Sequence, residues 1–267
     1  MVVLSKVALD ARSGAESAAG VAAGAEIQLR HAAQLTAAQA QAWAAAKPQD
    51  GLLTAILDLP DAARLNVAAW LEALQPDTVE LRVPAWSEAG MAAIGWPAGH
   101  AALQQVLKTL TERQVATRLA LHVSALTLGE LSVDVLNELA QAAGLEVLTL
   151  VLRPVLGDAA PRLDGLAQAA VLLSQTGHTV TASRLLPACA MPEGFDGEAS
   201  YPSERAAAKQ DFTAECDGCP AREEGRCDGM AADLLRATSA AGRVWSGWAT
   251  LAKDRAPTVV ASEQLPE

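Results

Sequence analysis

Aromatic residues are scarce in this chain. Phe, Trp and Tyr together make up 3% of its 267 residues, with one Tyr and two Phe. The core must therefore be built from Ala, Leu, Val and Ile, which is enough apolar material for a sizeable domain. Basic residues are also few. Twenty Lys and Arg against 31 Asp and Glu give a net charge of −11 and a pI near 4.8. That balance argues against general nucleic-acid or anionic-membrane binding, both of which need a basic footprint. No run approaches the roughly 18 uninterrupted apolar residues of a membrane helix. The start, Met1-Val-Val-Leu-Ser-Lys-Val, lacks the basic, apolar and small-residue sections of a signal peptide. The expectation is a cytoplasmic protein in a reducing compartment. Cysteine is absent from the first 188 residues, and histidine from everything after His178.

What is present before residue 187 is a regular alternation. β-rich runs are predicted near 2–9, 26–31, 52–59, 78–84, 117–124, 145–153 and 178–186. Helical runs are predicted near 33–46, 61–75, 99–114, 129–143 and 163–176, with a short helix at 15–23 and a last one near 229–241. Pro60-Asp61 marks a helix start, and Gly144 stands where a C-terminal cap belongs. Strand and helix in strict alternation signal a parallel sheet covered by helices. About six units in one run favour an α/β fold of the partial (β/α)6-type TIM barrel, with an irregular cysteine-bearing C-terminal extension. The expected organisation is a barrel over 1–186, a cysteine-rich extension over 187–253 and a flexible tail over 254–267.

The strands have one oily and one polar face under the period-2 rule. Val3, Val7 and Leu9 oppose Lys6 and Asp10. Ile27 and Leu29 oppose Gln28 and Arg30. Val79, Leu81 and Val83 oppose Glu80 and Arg82, while Leu119, Leu121 and Val123 oppose Arg118, His122 and Ser124. The oily face must meet the helices, so the polar face points into the barrel. That interior is either filled by its own salt bridges or holds a polar ligand. Because barrels bind at the C-terminal ends of their strands, the candidate ligand-binding residues are Asp10, Arg30, His31, Asp58, Arg82, Ser124 and Arg153, with Trp86 beside them. The segment 85–99 reads either as a lid or partner-facing loop, or as a stretch packed on the rim.

All four cysteines fall late: Cys189, then Cys216-Asp217-Gly218-Cys219-Pro220, then Cys227 in R-C-D-G. A C-x2-C turn lets backbone N–H groups face thiolates on a metal. One distant and three local cysteines satisfy the four-thiolate demand of a [4Fe–4S] cluster, and equally that of tetrahedral zinc. Unligated buried thiols and a redox dithiol are the remaining readings. The candidate metal ligands are Cys189, Cys216, Cys219 and Cys227.

The stretch from Val79 to Cys227 resembles the second half of radical S-adenosylmethionine (radical SAM) enzymes that carry a cysteine-bearing C-terminal extension. The residues that carry the resemblance run in order. They are the strand Thr78–Pro84, the helix Ala101–Gln114, the strand Arg118–Ser124, Leu128-Gly129-Glu130-Leu131, and the strand Leu145–Pro154 ending in R-P-V-L-G. The closing patterns are L-P-A-C-A-M-P, C-D-G-C-P and R-C-D-G-M. Late cysteines in that family hold an auxiliary [4Fe–4S] cluster. The first half departs from the family. Its C-x3-C-x2-C motif would fall in the loop Asp10–Gly20, which has no cysteine, and its G-G-E-P segment near Arg30-His31-Ala32-Ala33 is missing. The resemblance thus implies a degenerate radical SAM-like barrel that neither binds nor cleaves S-adenosylmethionine. It would serve as an accessory, electron-transfer or substrate-binding partner of a true radical SAM enzyme. The alternative is a barrel enzyme that uses its polar lumen and holds structural zinc on the cysteines. Whether the chain is an enzyme is left open by the sequence.

Overall fold

The computed structural model describes residues 6–183, 185–188, 191, 197–198, 210, 212, 216–225 and 227–240. Eight parallel strands form one sheet in strictly sequential order. They are β1 (Lys6–Asp10), β2 (Glu26–Arg30), β3 (Leu52–Asp58), β4 (Thr78–Val83), β5 (Ala116–Val123), β6 (Thr149–Pro154), β7 (Thr179–Ser183) and the two-residue β8 (Gly197–Glu198). Among the described residues no pairing joins β8 back to β1. The first seven strands curl into a half-barrel with helices between them, an α/β fold of the TIM-barrel kind. All seven strands expected from the sequence are present.

The helices are α1 (Ala37–Ala45), α2 (Leu59–Ala62), α3 (Val67–Leu74), α4 (Glu88–Ala93), α5 (Gly99–Glu112), α6 (Val133–Ala143), α7 (Leu163–Ser174), α8 (Pro220–Glu223) and α9 (Ala232–Ala240). Side-chain caps set several of their starts. Thr36 and Gln39 form a reciprocal capping box on α1. Ser132 accepts a hydrogen bond from Val135 N at 3.3 Å and starts α6. The helix predicted over 61–75 is two helices, because Asn66 accepts from Ala69 N at 3.2 Å and restarts the chain as α3. The run predicted as helix from 129 begins instead with a 3-10 turn at Leu128–Glu130. The short helix expected at 15–23 is a 3-10 turn, Ala15–Ala18. Gly144 caps α6 at φ 69°, a left-handed conformation that costs a side-chain-bearing residue roughly 1 kcal/mol. The sixth strand then begins at Thr149, not at 145.

The two faces of the sheet carry different chemistry. Ile27, Leu29, Leu53, Leu57, Val79, Leu81, Val83, Leu119, Leu121, Val123, Leu150 and Leu152 join the helices in one buried apolar core. The opposite side of the same strands carries Glu26, Gln28, Thr54, Glu80 and Arg153, all buried and polar. Ile56, Ala120 and Val151 share that second side. They are buried too, yet lie outside the apolar core cluster.

The segment after β7 returns to the barrel. Residues of β8 pair with Ala182 and Ser183. Helix α9 lies against α7. Thr238 accepts a hydrogen bond from Leu163 N at 3.0 Å, and Asp233 accepts one from Gly157 N at 2.7 Å. Both bonds satisfy backbone donors at or near the starts of turns and helices on the barrel.

Candidate functional site

The concave face divides into two polar groups. At the N-terminal end of the sheet, Glu26 lies 3.5 Å from Lys6 and accepts hydrogen bonds from Gln28 at 3.0 Å and Thr54 at 2.9 Å. Burial pushes the Glu26 carboxyl up. The bond from Gln28, the attraction of Lys6 and the bond from Thr54 outweigh that and hold it below its ordinary range. This group lies at the N-terminal ends of the strands.

The second group centres on Glu80, whose side chain is 1% exposed. Arg153 Nη2 donates to both of its carboxylate oxygens, at 3.3 and 3.4 Å. Arg82 lies 3.6 Å and Arg118 3.8 Å from the same carboxylate. Burial alone would raise the Glu80 pKa. Arg153, then Arg82 and Arg118, outweigh it and keep the group ionised. His122 stands beside Arg153 in the register of β5 and β6. Its Nε2 atom is buried and has no hydrogen-bond partner among the described residues. Burial, then Arg82 and Arg153, push its pKa down to about 4, against the smaller opposing pull of Glu80.

The residues expected at the strand ends do not all meet. Arg82 and Arg153 join around Glu80. Asp58 is exposed and lies opposite Arg82 in register. Arg30 lies on the concave face beside Asp10. Asp10 itself is engaged locally. It accepts from the Arg12 backbone N at 2.9 Å and from the Arg12 guanidinium at 2.6 Å, and these bonds hold its carboxyl well below the usual range. His31 is exposed in a left-handed conformation, φ 56°, at the entry to a 3-10 turn. Ser124 is buried in a reciprocal turn with Thr127, its Oγ accepting from Thr127 N at 3.2 Å and its own N donating to Thr127 Oγ1 at 3.0 Å. It shapes a turn with Thr127. Glu80, Arg118 and His122 were legible as polar-face residues, but their convergence was not. The signal that brings them together is sequential parallel pairing, which sets equal phases side by side.

Three tryptophans fasten the rim. Trp43 donates to Ala11 O at 3.3 Å, Trp70 to Ala32 O at 3.0 Å and Trp86 to Glu130 O at 3.2 Å. Trp86 is fully buried. His100 Nδ1 lies 3.1 Å from Trp86 O. Ser87 caps α4 and hydrogen-bonds the Glu130 carboxylate. The 85–99 segment is thus packed on the rim, the second of the two readings given for it.

The cysteine loop is ordered by its own backbone. Cys219 N donates to Cys216 O at 3.2 Å and Cys227 N to Ala221 O at 3.0 Å, while Gly218 takes φ 73° in the turn between the first pair. Cys216, Cys219 and Cys227 are all of intermediate exposure. Arg222 pairs with Asp217 at 2.8 Å and lies over the Phe212 ring at 4.5 Å. Cys189 lies outside the described residues. The donor chemistry suits a thiolate-held metal. Among the described residues, however, no three His, Cys, Asp or Glu converge where an ion could be held. No described helix is long and apolar enough to cross a membrane.

No family model matches the chain, and no curated protein matches it. Solved structures give weak likenesses at 14% identity. A xylose isomerase domain protein from Planctomyces limnophilus aligns over 67% of this chain and 72% of its own, with a TM-score of 0.38. A mutant flavocytochrome b2 with benzoylformate aligns over 73% and 56%, at 0.40. Oxaloacetate acetylhydrolase aligns over 91% and 94%, at 0.42. At these scores the likenesses carry nothing about activity, and the architecture is read from the strand order itself.

Proposed function

We propose that this chain is a radical SAM-like accessory protein that does not cleave S-adenosylmethionine, and that its late cysteines hold an iron–sulfur cluster used beside a true radical SAM enzyme. The observation that carries the first part is the loop after β1. It is where the radical-generating cluster of that family would be held, and it contains no thiol. Several of its groups already have partners. Asp10 is bound by Arg12, Ser13 Oγ donates to Asp10 O at 2.7 Å, and Trp43 clamps Ala11. A loop closed on itself in this way, and without cysteine, offers no thiolate to an iron site.

Support for the second part is chemical. Three cysteines sit on one backbone-ordered loop with a positive-φ glycine between the first two. Together with Cys189 they make the four-thiolate set that such clusters need. When bound, the cluster would supply a one-electron carrier. The residues' own part is to present thiolates, with Arg222 near enough to Asp217 to hold the loop's shape.

The test is anaerobic purification followed by metal and sulfide analysis. The expected sample is brown, with about four iron and four sulfide per chain. A colourless protein with one zinc per chain replaces the cluster with a structural zinc site. Incubation with S-adenosylmethionine and a strong reductant is expected to yield no 5′-deoxyadenosine, and its formation would overturn the accessory reading.

A further inference from the structure

The sheet is open at β1. Among the described residues β2 is the one strand that pairs with it. Of the described elements, β2 alone packs closely on it. Every residue of β1 is exposed or half-buried, whereas four of the five residues of β2 are buried. Even Val7 and Leu9, on the helix side of the sheet, are no more than half-buried. A strand bonded on one side presents N–H and C=O groups along the other, a template for a further strand. Proline, which would blunt such an edge, is absent from Lys6–Asp10.

The order of residues in β1 chooses the occupant. Outward from Ala8 the strand runs apolar and then charged both ways, through Val7 to Lys6 and through Leu9 to Asp10. In an antiparallel pair, residues directly opposite each other share a face of the sheet. A two-fold axis through Ala8 therefore sets Ala8 against Ala8, Val7 against Leu9, and Lys6 against Asp10 of the second copy. Both Lys6–Asp10 rungs join opposite charges on the concave side, an arrangement that cross-strand pairs favour. Sliding by one residue would set concave side chains against convex ones. Sliding by two shortens the pairing and loses both charge matches. The Lys6 and Asp10 side chains have partners in their own chain, Glu26 and Arg12, but remain 48% and 38% exposed, so each can meet a second charge across the axis.

We propose that β1 is a self-association edge, on which two copies of this chain pair β1 to β1, antiparallel, about an axis through Ala8. The two half-barrels then share one continuous sheet with both concave faces on the same side. The contact is isologous and closes at two copies. Five residues from each chain bury less than a standard interface, so the association is weak and reversible. It is independent of the cysteine loop.

Sedimentation equilibrium of the full chain is expected to show a monomer–dimer equilibrium that moves to dimer as concentration rises. Lys6→Glu and Asp10→Lys should each abolish the dimer, because each places like charges on both outer rungs. Mixed in equal amounts, the two variants should associate again, because the mixed pair has opposite charges on both. Circular dichroism checks that each variant folds. Should either fail to fold, Ala8→Cys in the otherwise native chain is oxidised mildly and its disulfide-linked peptides are mapped. The expected product is the peptide bearing position 8 linked to a second copy of itself, since opposed residues lie within disulfide reach. A chain that stays monomeric at every concentration, a dimer that persists in the folded charge variants, a mixture no more associated than either variant alone, or absence of the position-8 link each overturns the proposal.

Discussion

At the scale of single residues, the concave face is governed by how burial and neighbouring charge divide between Glu80 and His122. Burial opposes the charged form of both. For Glu80 the three arginines win, so it stays ionised. For His122 the arginines act in the same direction as burial, so its pKa falls to about 4 from 6.5. The linkage sign follows. Below pH 6.5 the unfolded chain takes up a proton at this histidine that the folded chain refuses. His122 thus contributes stability that is full above pH 6.5 and is lost as pH falls towards about 4. The slope within that window is up to about 1.4 kcal/mol per pH unit. Denaturant unfolding at a series of pH values should show this slope in the native chain and lose it in His122→Asn. An unchanged slope in the variant would place the titrating group elsewhere.

At the scale of elements, local caps decided what periodicity could not. Residues 61–75 have the composition of one helix, and the apolar pattern runs through them. Asn66 breaks the run because its side chain satisfies Ala69 N more readily as a cap than it serves a helix interior. Replacing Asn66 by Ala is expected to cost about 1 kcal/mol, read as a lower urea midpoint with an unchanged m-value. A midpoint within error of the native chain would show that packing of Trp70 and Leu71, not the cap, starts α3. Strands were the most legible elements. Each has a β-branched or leucine-rich alternation of one phase, bounded by turn residues, so all seven were visible in the sequence. The limits of β6 were less so, because Leu145–Leu148 has strand composition but follows directly on the Gly144 cap.

At the scale of the whole molecule, the described part of the C-terminal segment is tied to the barrel at α9. Asp233 and Thr238 each satisfy a backbone N–H on the β6–α7 side, and Leu234 and Met230 join the apolar core. Thr238→Val with Asp233→Ala is expected to loosen α9. Limited proteolysis should then cut the variant near α9 well before the native chain, while the circular dichroism of the half-barrel is retained. Equal cleavage of the two would mean that the apolar contacts of α9 suffice alone.

The amino-acid sequence by itself determined the fold class, the order of strands, the polarity of the concave face and the cysteine-free loop after β1. These depend on period, composition and absence, which are local properties of a chain. It named Arg82 and Arg153 as candidates, and with them Asp10, His31 and Ser124, of which Asp10 and Ser124 are bonded within local turns. Only the tertiary structure decided that Glu80 gathers Arg82, Arg118 and Arg153, and that His122 stands among them with a buried nitrogen. Those residues are far apart in sequence and meet because sequential parallel strands stack like phases across the sheet. No single strand contains that information, since which inward residues touch is set by register and curl.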